Sequence, residues 1–303
     1  MTLRHFLEID DLSAEELKDV LDRSEKPQPA ILQGRGVALI FEKPSLRTRN
    51  SSEMAVVQLG GHPAYIENNE ISLDVRERTE DAIRVLQGYY DVICARVFEH
   101  AQLERMVSVA SVPIVNLLSN SGHPAQALAD LLTIRQNLGD LHGKRLAWIG
   151  DFSNVALSLG LGFAMLGGSV AYCCPAGYGP GDLALDRIRS VCAPGVTVAA
   201  VPKADVALAG ANVVSTDAWY SMGQEEEKET RKRAFEGFRV DQSMMGLAAT
   251  GAIFLHCLPA HRGEEVTDEV IDGPQSRVFP QAHNRMHTMR GLFSWLDAQG
   301  SLR

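Results

Sequence analysis

Gly36-Val37-Ala38-Leu39-Ile40-Phe41-Glu42-Lys43-Pro44-Ser45-Leu46-Arg47-Thr48-Arg49 reads as a buried strand running into a short segment rich in hydroxyls and guanidiniums. Residues 51–59 then carry helical spacing and stop at Gly60-Gly61, so the pentapeptide 45–49 is expected on a strand-to-helix loop. The N–H groups of a helix start and its positive dipole end favour anions there. Arginine adds a planar fork that grips two oxygens at once. An isolated Arg-x-Arg reads more simply as a solvated basic loop. Four polar side chains converging where an α/β sheet binds its ligands point instead to a small doubly charged oxyanion.

Working outward, strand and helix alternate, which implies parallel sheets with helices on both faces. Ser13 and Glu16 form a capping box for an N-terminal helix. Strands are expected at 37–41, 63–66, 92–95 and 113–117, with helices at 51–59, 80–89 and 102–110. Alternation restarts at 146–151 and continues through 170–173, 196–201, 213–215, 253–256 and 278–279. The expected fold class is therefore α/β, with two doubly wound domains built on parallel sheets. An amphipathic helix over 124–138 links them, and a last helix over 281–296 packs back on the first domain. The expected domains are 1–136 joined by 281–303, and 137–280. The charge run 225–233 is read as an exposed helix.

Composition narrows the function. At 303 residues, with 45% apolar and 22% charged residues, the chain fits a two-domain globular protein. A net charge of −9 and 6% aromatic residues, without a basic stripe, argue against a nucleic-acid partner. An arginine cluster on that acidic background suits a small anion in a cleft. No apolar run approaches the roughly 20 residues of a membrane span, and the first residues lack a signal-peptide core, so the expected compartment is the cytoplasm. Five cysteines, Cys94, Cys173, Cys174, Cys192 and Cys257, show no metal-ligand spacing. No Walker loop, zinc motif or nucleophile elbow occurs, so chemistry without metal or covalent serine is expected.

Ligands of open α/β sheets bind beyond the carboxyl ends of strands, and the residues there are polar: Arg96; Ser119 to Gln126; Gly150-Asp151-Phe152-Ser153-Asn154; Thr216 to Gly223; His256-Cys257-Leu258-Pro259. Singly, each has a plainer reading. His123 before Pro124 and Asn154 could cap helices, Cys257 could fill a core, Asp217 could serve a turn, and Arg96 could be half of a salt bridge. Together the segments resemble the aspartate/ornithine carbamoyltransferase family, its ornithine branch most closely. Residues 41–49 resemble the family's carbamoyl-phosphate loop, and His123-Pro124-Ala125-Gln126-Ala127-Leu128-Ala129-Asp130 its second signature. Asp217-Ala218-Trp219-Tyr220-Ser221-Met222-Gly223 and His256-Cys257-Leu258-Pro259 resemble the segments that surround the amino acid in the ornithine branch.

The resemblance implies transfer of the carbamoyl group from carbamoyl phosphate to the δ-amine of L-ornithine, with no cofactor. It implies that Ser45, Arg47, Thr48 and the backbone N–H of Leu46 hold the phosphate. Arg96 then bridges phosphate and carbonyl, His123 donates to the carbonyl oxygen, Gln126 holds the carbamoyl amide, and Arg285 reaches the carbamoyl group from the last helix. Backbone carbonyls around Cys257 and Leu258 accept from the carbamoyl nitrogen. Asn154, Asp217, Ser221 and the backbone at Met222 grip ornithine, and Cys257 lies beside its δ-amine. A homotrimer or a multiple of trimers is implied, each site completed by the loop 72–79 of a neighbour. Leu46, Ser72 and Arg78 depart from residues usual in relatives. Carbamoylation of another amine, such as putrescine or an acylated ornithine, and a non-catalytic homologue are the alternatives. A dinucleotide-binding protein would explain Ile149-Gly150-Asp151, but the segment lacks G-x-G-x-x-G.

Overall fold

The computed structural model of the chain describes residues 3–220 and 227–302. The chain divides into two compact units, one of Met1–Leu132 with His283–Arg303, the other of Thr133–Ala282. In chain order the first unit holds α1 (Ala14–Ser24), β1 (Gly36–Phe41), α2 (Leu46–Gln58), β2 (His62–Glu67), α3 (Asn68–Ile71), α4 (Thr79–Leu86), β3 (Val92–Arg96), α5 (His100–Val109) and β4 (Ile114–Leu118). Helix α6 (Pro124–Leu138) carries the chain into the second unit. There follow β5 (Arg145–Ile149), α7 (Asn154–Met165), β6 (Ser169–Cys173), α8 (Asp182–Ser190), β7 (Val198–Ala200), α9 (Ala204–Leu208), β8 (Val213–Thr216), α10 (Lys228–Ala234), α11 (Gln242–Leu247), β9 (Ile253–His256) and α12 (Asp268–Ile271). Helix α13 (Val278–Ala298) returns the chain to the first unit.

Both sheets are parallel, in the orders β2-β1-β3-β4 and β7-β6-β5-β8-β9. The central strands are apolar without alternation because helices cover both their faces: Val37 to Phe41 and Val92 to Ala95 are all buried. In each sheet the chain builds outward to one side of its first strand and then crosses to the other. The crossing point lies between β1 and β3 in the first unit and between β5 and β8 in the second. Ligands of doubly wound sheets bind at such crossings, beyond the carboxyl ends of the strands.

Three local expectations are corrected. Helix α2 starts at Leu46, before residue 51, because the Ser45 side chain caps it by accepting from the Thr48 N–H; Arg47, Thr48 and Arg49 thus lie on its first turn rather than on a loop. Val278 and Phe279 open α13 and form no strand. Pro280 in the first turn fits there, since that turn's N–H groups have no helical partner. The charge run is exposed only in part: Arg231 of α10 is buried, bound to Asp151 (3.0 Å), the Trp219 carbonyl (2.9 Å) and Glu227 (2.8 Å).

Helix α13 docks on α1 through Gly291. A Cβ there would overlap the Ser24 hydroxyl and lie 2.6 Å from the Val20 carbonyl oxygen. Arg23 reaches Ser294 (3.2 Å to Oγ), and the guanidinium of Arg4 lies 4.8 Å from the Trp295 ring. Glycine to alanine inside a helix ordinarily stabilises by up to about 1 kcal/mol. Here the new methyl meets a backbone carbonyl that cannot rotate away, and overpacking costs about 1–3 kcal/mol. Gly291→Ala is therefore expected to lower the thermal unfolding midpoint; a raised midpoint would show that the two helices are not in close contact.

Candidate active site

In the first unit, the crossing point between β1 and β3 brings the cap of α2 beside the end of β3. The pairing of β3 with β4 shifts register between Ala95 and Arg96, so Arg96 pairs with Leu118 after Ala95 pairs with Asn116. Such a bulge re-aims the side chain that follows it, and Arg96 is buried at the strand end. A tight turn in which Ser119 N–H donates to the Gly122 carbonyl (2.9 Å) then delivers His123 to the start of α6.

Five side chains form one hydrogen-bonded line. Ser45 Oγ donates to Thr48 Oγ1 (3.1 Å), which also accepts from Arg285 Nη2 (2.8 Å). Arg285 Nη1 donates to Gln126 Oε1 (2.9 Å), and Gln126 Nε2 donates to Asp130 Oδ1 (2.7 Å). Thr48, Gln126, Asp130 and Arg285 are all buried. Asp130 is a member of the site that the sequence reading left without a role. Its signal was the i, i+4 spacing from Gln126, which puts both on one face of α6.

His123 is buried, and burial pushes its imidazole well below the usual histidine range, with the positive charges of Arg285, Arg96 and Arg47 acting in the same direction. Three arginines are thus close enough to one imidazole to perturb its titration. Arg49, counted in the sequence among the converging polar groups, points elsewhere: its Nε binds Glu53 (2.9 Å) and its guanidinium lies 3.7 Å from the Tyr65 ring. Leu46 is exposed.

The loop after α3 is held to its own unit. Leu73 is buried, and Asp74, at φ 61°, takes both Arg105 Nη atoms (2.7 and 2.8 Å) and the Thr79 hydroxyl (3.0 Å). Arg105 also forks onto Glu80 (2.8 and 2.7 Å). The hydrogen bonds from Arg105 hold the Asp74 carboxyl down to about 2. Val75 and Arg78, between these anchors, project into solvent.

In the second unit, three neighbouring strands end in three side chains that touch. Asp217 follows β8; its Oδ1 accepts from the Cys257 thiol beyond β9 (3.1 Å) and from the Ala218 N–H (2.8 Å). Its Oδ2 accepts from Ser153 Oγ, beyond β5 (3.0 Å). Asn154 is the first residue of α7, at the crossing point of this sheet. Leu258 adopts a left-handed φ of 60°, and its N–H donates to His256 Nδ1 (2.8 Å). His256 Nε2 faces the buried Glu265 (3.1 Å). Ser221 and Met222 lie outside the described residues. No helix among the described residues is long and apolar enough to cross a membrane.

Residues 4–136 match the carbamoyl-phosphate-binding domain of the aspartate/ornithine carbamoyltransferases, and residues 142–296 match their Asp/Orn-binding domain. The chain belongs to the aspartate/ornithine carbamoyltransferase family. It is 48% identical over 306 residues to an ornithine carbamoyltransferase of Acidothermus cellulolyticus, covering 98% of each chain. It is 46% identical over 302 residues to the one from Mycolicibacterium smegmatis, covering 97% of this chain and 98% of that one. Among solved structures it matches the ornithine carbamoyltransferase of Pyrococcus furiosus with a TM-score of 0.92 at 38% identity, over 97% of both chains.

The depressed His123 gives a signed expectation. Unfolded, its imidazole titrates near ~6.5; folded, it refuses the proton until well below that. Between those two values the unfolded chain binds a proton that the native chain does not, so stability falls as pH falls. Above about 6.5 the effect is absent. His123→Gln should therefore lose less stability than the parent between pH 7.5 and pH 5 in urea titrations. Equal losses would mean that the native imidazole is protonated normally.

Proposed function

We propose that this protein transfers the carbamoyl group of carbamoyl phosphate to the δ-amine of L-ornithine, giving L-citrulline and phosphate. The observation that carries the reading is the convergence of Arg47, Arg96 and Arg285 on a buried neutral His123, beside the capped start of α2. That arrangement suits an activated acyl phosphate, whose dianion must be neutralised and whose carbonyl must be polarised.

In the reaction the amine nitrogen bonds to the carbonyl carbon, the carbon–oxygen bond to phosphate breaks, and phosphate leaves with the electron pair. The amine gives up one proton, which the departing phosphate takes up. Ser45, Arg47, Thr48 and the N–H of Leu46 hold the phosphate, whose charge grows as it leaves. Arg96 spans phosphate and carbonyl oxygen. His123, kept uncharged, donates an N–H to the developing oxyanion rather than a full proton. Arg285 and Gln126, locked together and to Asp130, hold the carbamoyl end. In the second unit Asn154 and Asp217 take polar groups of ornithine, with Ser221 and Met222 supplying further contacts, and Cys257 lies by the δ-amine. The protein works as a trimer or a multiple of trimers, with the loop 72–79 of one subunit completing the site of the next. The fixed base of that loop and its solvent-facing Val75 and Arg78 support this reading.

Citrulline formation from ornithine and carbamoyl phosphate is the direct assay. Arg47→Ala is expected to reduce turnover at least 100-fold without changing the fold, since removing one such charge-stabilising donor costs about 10²–10³ in rate. Near-normal turnover in the folded variant would remove Arg47 from the phosphate site. Rate is also expected to climb with pH from 6 to 9, because an alkyl amine of pKa ~10 is mostly protonated at neutrality. His123, depressed by burial, does not contribute to that rise. A flat profile would contradict an alkyl-amine nucleophile in a rate-limiting chemical step.

A further inference from the structure

Ser153 does two jobs with one hydroxyl. As N-cap of α7 its oxygen accepts from the Ala156 N–H, at 3.4 Å. A cap needs only the oxygen's lone pairs, so the hydroxyl hydrogen must go elsewhere, and Asp217 Oδ2 lies 3.0 Å away. The link spans 64 residues of sequence and joins the ends of the adjacent parallel strands β5 and β8.

We propose that Ser153 is a positioning residue that fixes the rotamer of Asp217 for the reaction with ornithine; this rests on the carbamoyl-transfer reading above. The geometry explains how. Asp217 Oδ1 already accepts from its own neighbour's N–H and from the Cys257 thiol, so that oxygen is tied toward β9. Those two bonds hold one oxygen only and leave the carboxylate able to swing about it. Ser153 holds the other oxygen from the opposite side. With both oxygens held, the carboxylate plane is set, and an incoming ammonium or amine meets an acceptor in one defined direction. The half-buried Asp151 makes this control more necessary. Its charge is unfavourable to that of Asp217, and its Arg231 partner faces Asp151 and Trp219. The hydroxyl of Ser153 is thus the donor observed on Oδ2 that separates a fixed Asp217 from one pushed about by its acidic neighbour.

Glycine and asparagine at position 153 separate this role from capping. Glycine is a tolerable N-cap but supplies no donor. Asparagine caps through its carbonyl and donates through its amide. We expect Ser153→Gly to unfold close to the parent temperature yet lose about 10- to 100-fold in kcat/KM for ornithine, the scale of a small misplacement of a reacting group. Its KM for carbamoyl phosphate and its affinity for inorganic phosphate should stay within about twofold, since those ligands belong to the first unit. Ser153→Asn should recover kcat/KM to within about threefold of the parent. Parent-like ornithine kinetics in Ser153→Gly, or a Ser153→Asn variant as impaired as the glycine one, would overturn the proposal while leaving the activity standing. A parent protein that makes no citrulline overturns the activity itself, and the positioning role with it.

Discussion

The constraint on which the first unit depends is the crowding of three guanidiniums around one uncharged imidazole. In a chain of net charge −9 that concentration of positive charge is held by fixed polar contacts: Arg285 is pinned to Thr48 and Gln126, and Gln126 to the buried Asp130. Like charges repel, so the fold must hold them in place. Much of the local architecture follows from this. The bulge at Arg96, the turn 119–122 that delivers His123, and the glycine that seats α13 on α1 each place one member of the group.

The second unit is built on the opposite logic. Its cluster, Ser153, Asp217 and Cys257, gathers around one carboxylate and is half-buried. The two sheets follow the same topological rule, each presenting its cluster where the strand order reverses. One fold principle thus serves a phosphate in one unit and an amino acid in the other. The difference lies in a handful of side chains at strand ends.

The sequence by itself determined the alternation of strand and helix, the parallel sheets and the positions of nine strands, though the apolar pair 278–279 was taken into α13 instead. It also determined family membership, since the segments around 41–49, 123–130 and 217–223 are long and ordered along the chain. Polar residues stacked after successive strands were legible for the same reason. What only the tertiary structure decided were the contacts that join residues far apart in sequence. Arg49 looked equivalent to Arg47 until the helix phase turned it onto Glu53 and Tyr65. Arg231 looked like one charge in a solvated run until it was found beneath Trp219 and Asp151. Asp130 lay within a recognised signature and Ser153 within a polar strand end, yet neither had a role, because a hydrogen bond to Arg285's partner or to a carboxylate 64 residues away leaves no periodicity to read. Local pattern reports burial and backbone conformation; the direction in which a side chain spends its hydrogen bonds is set by neighbours that only folding brings near.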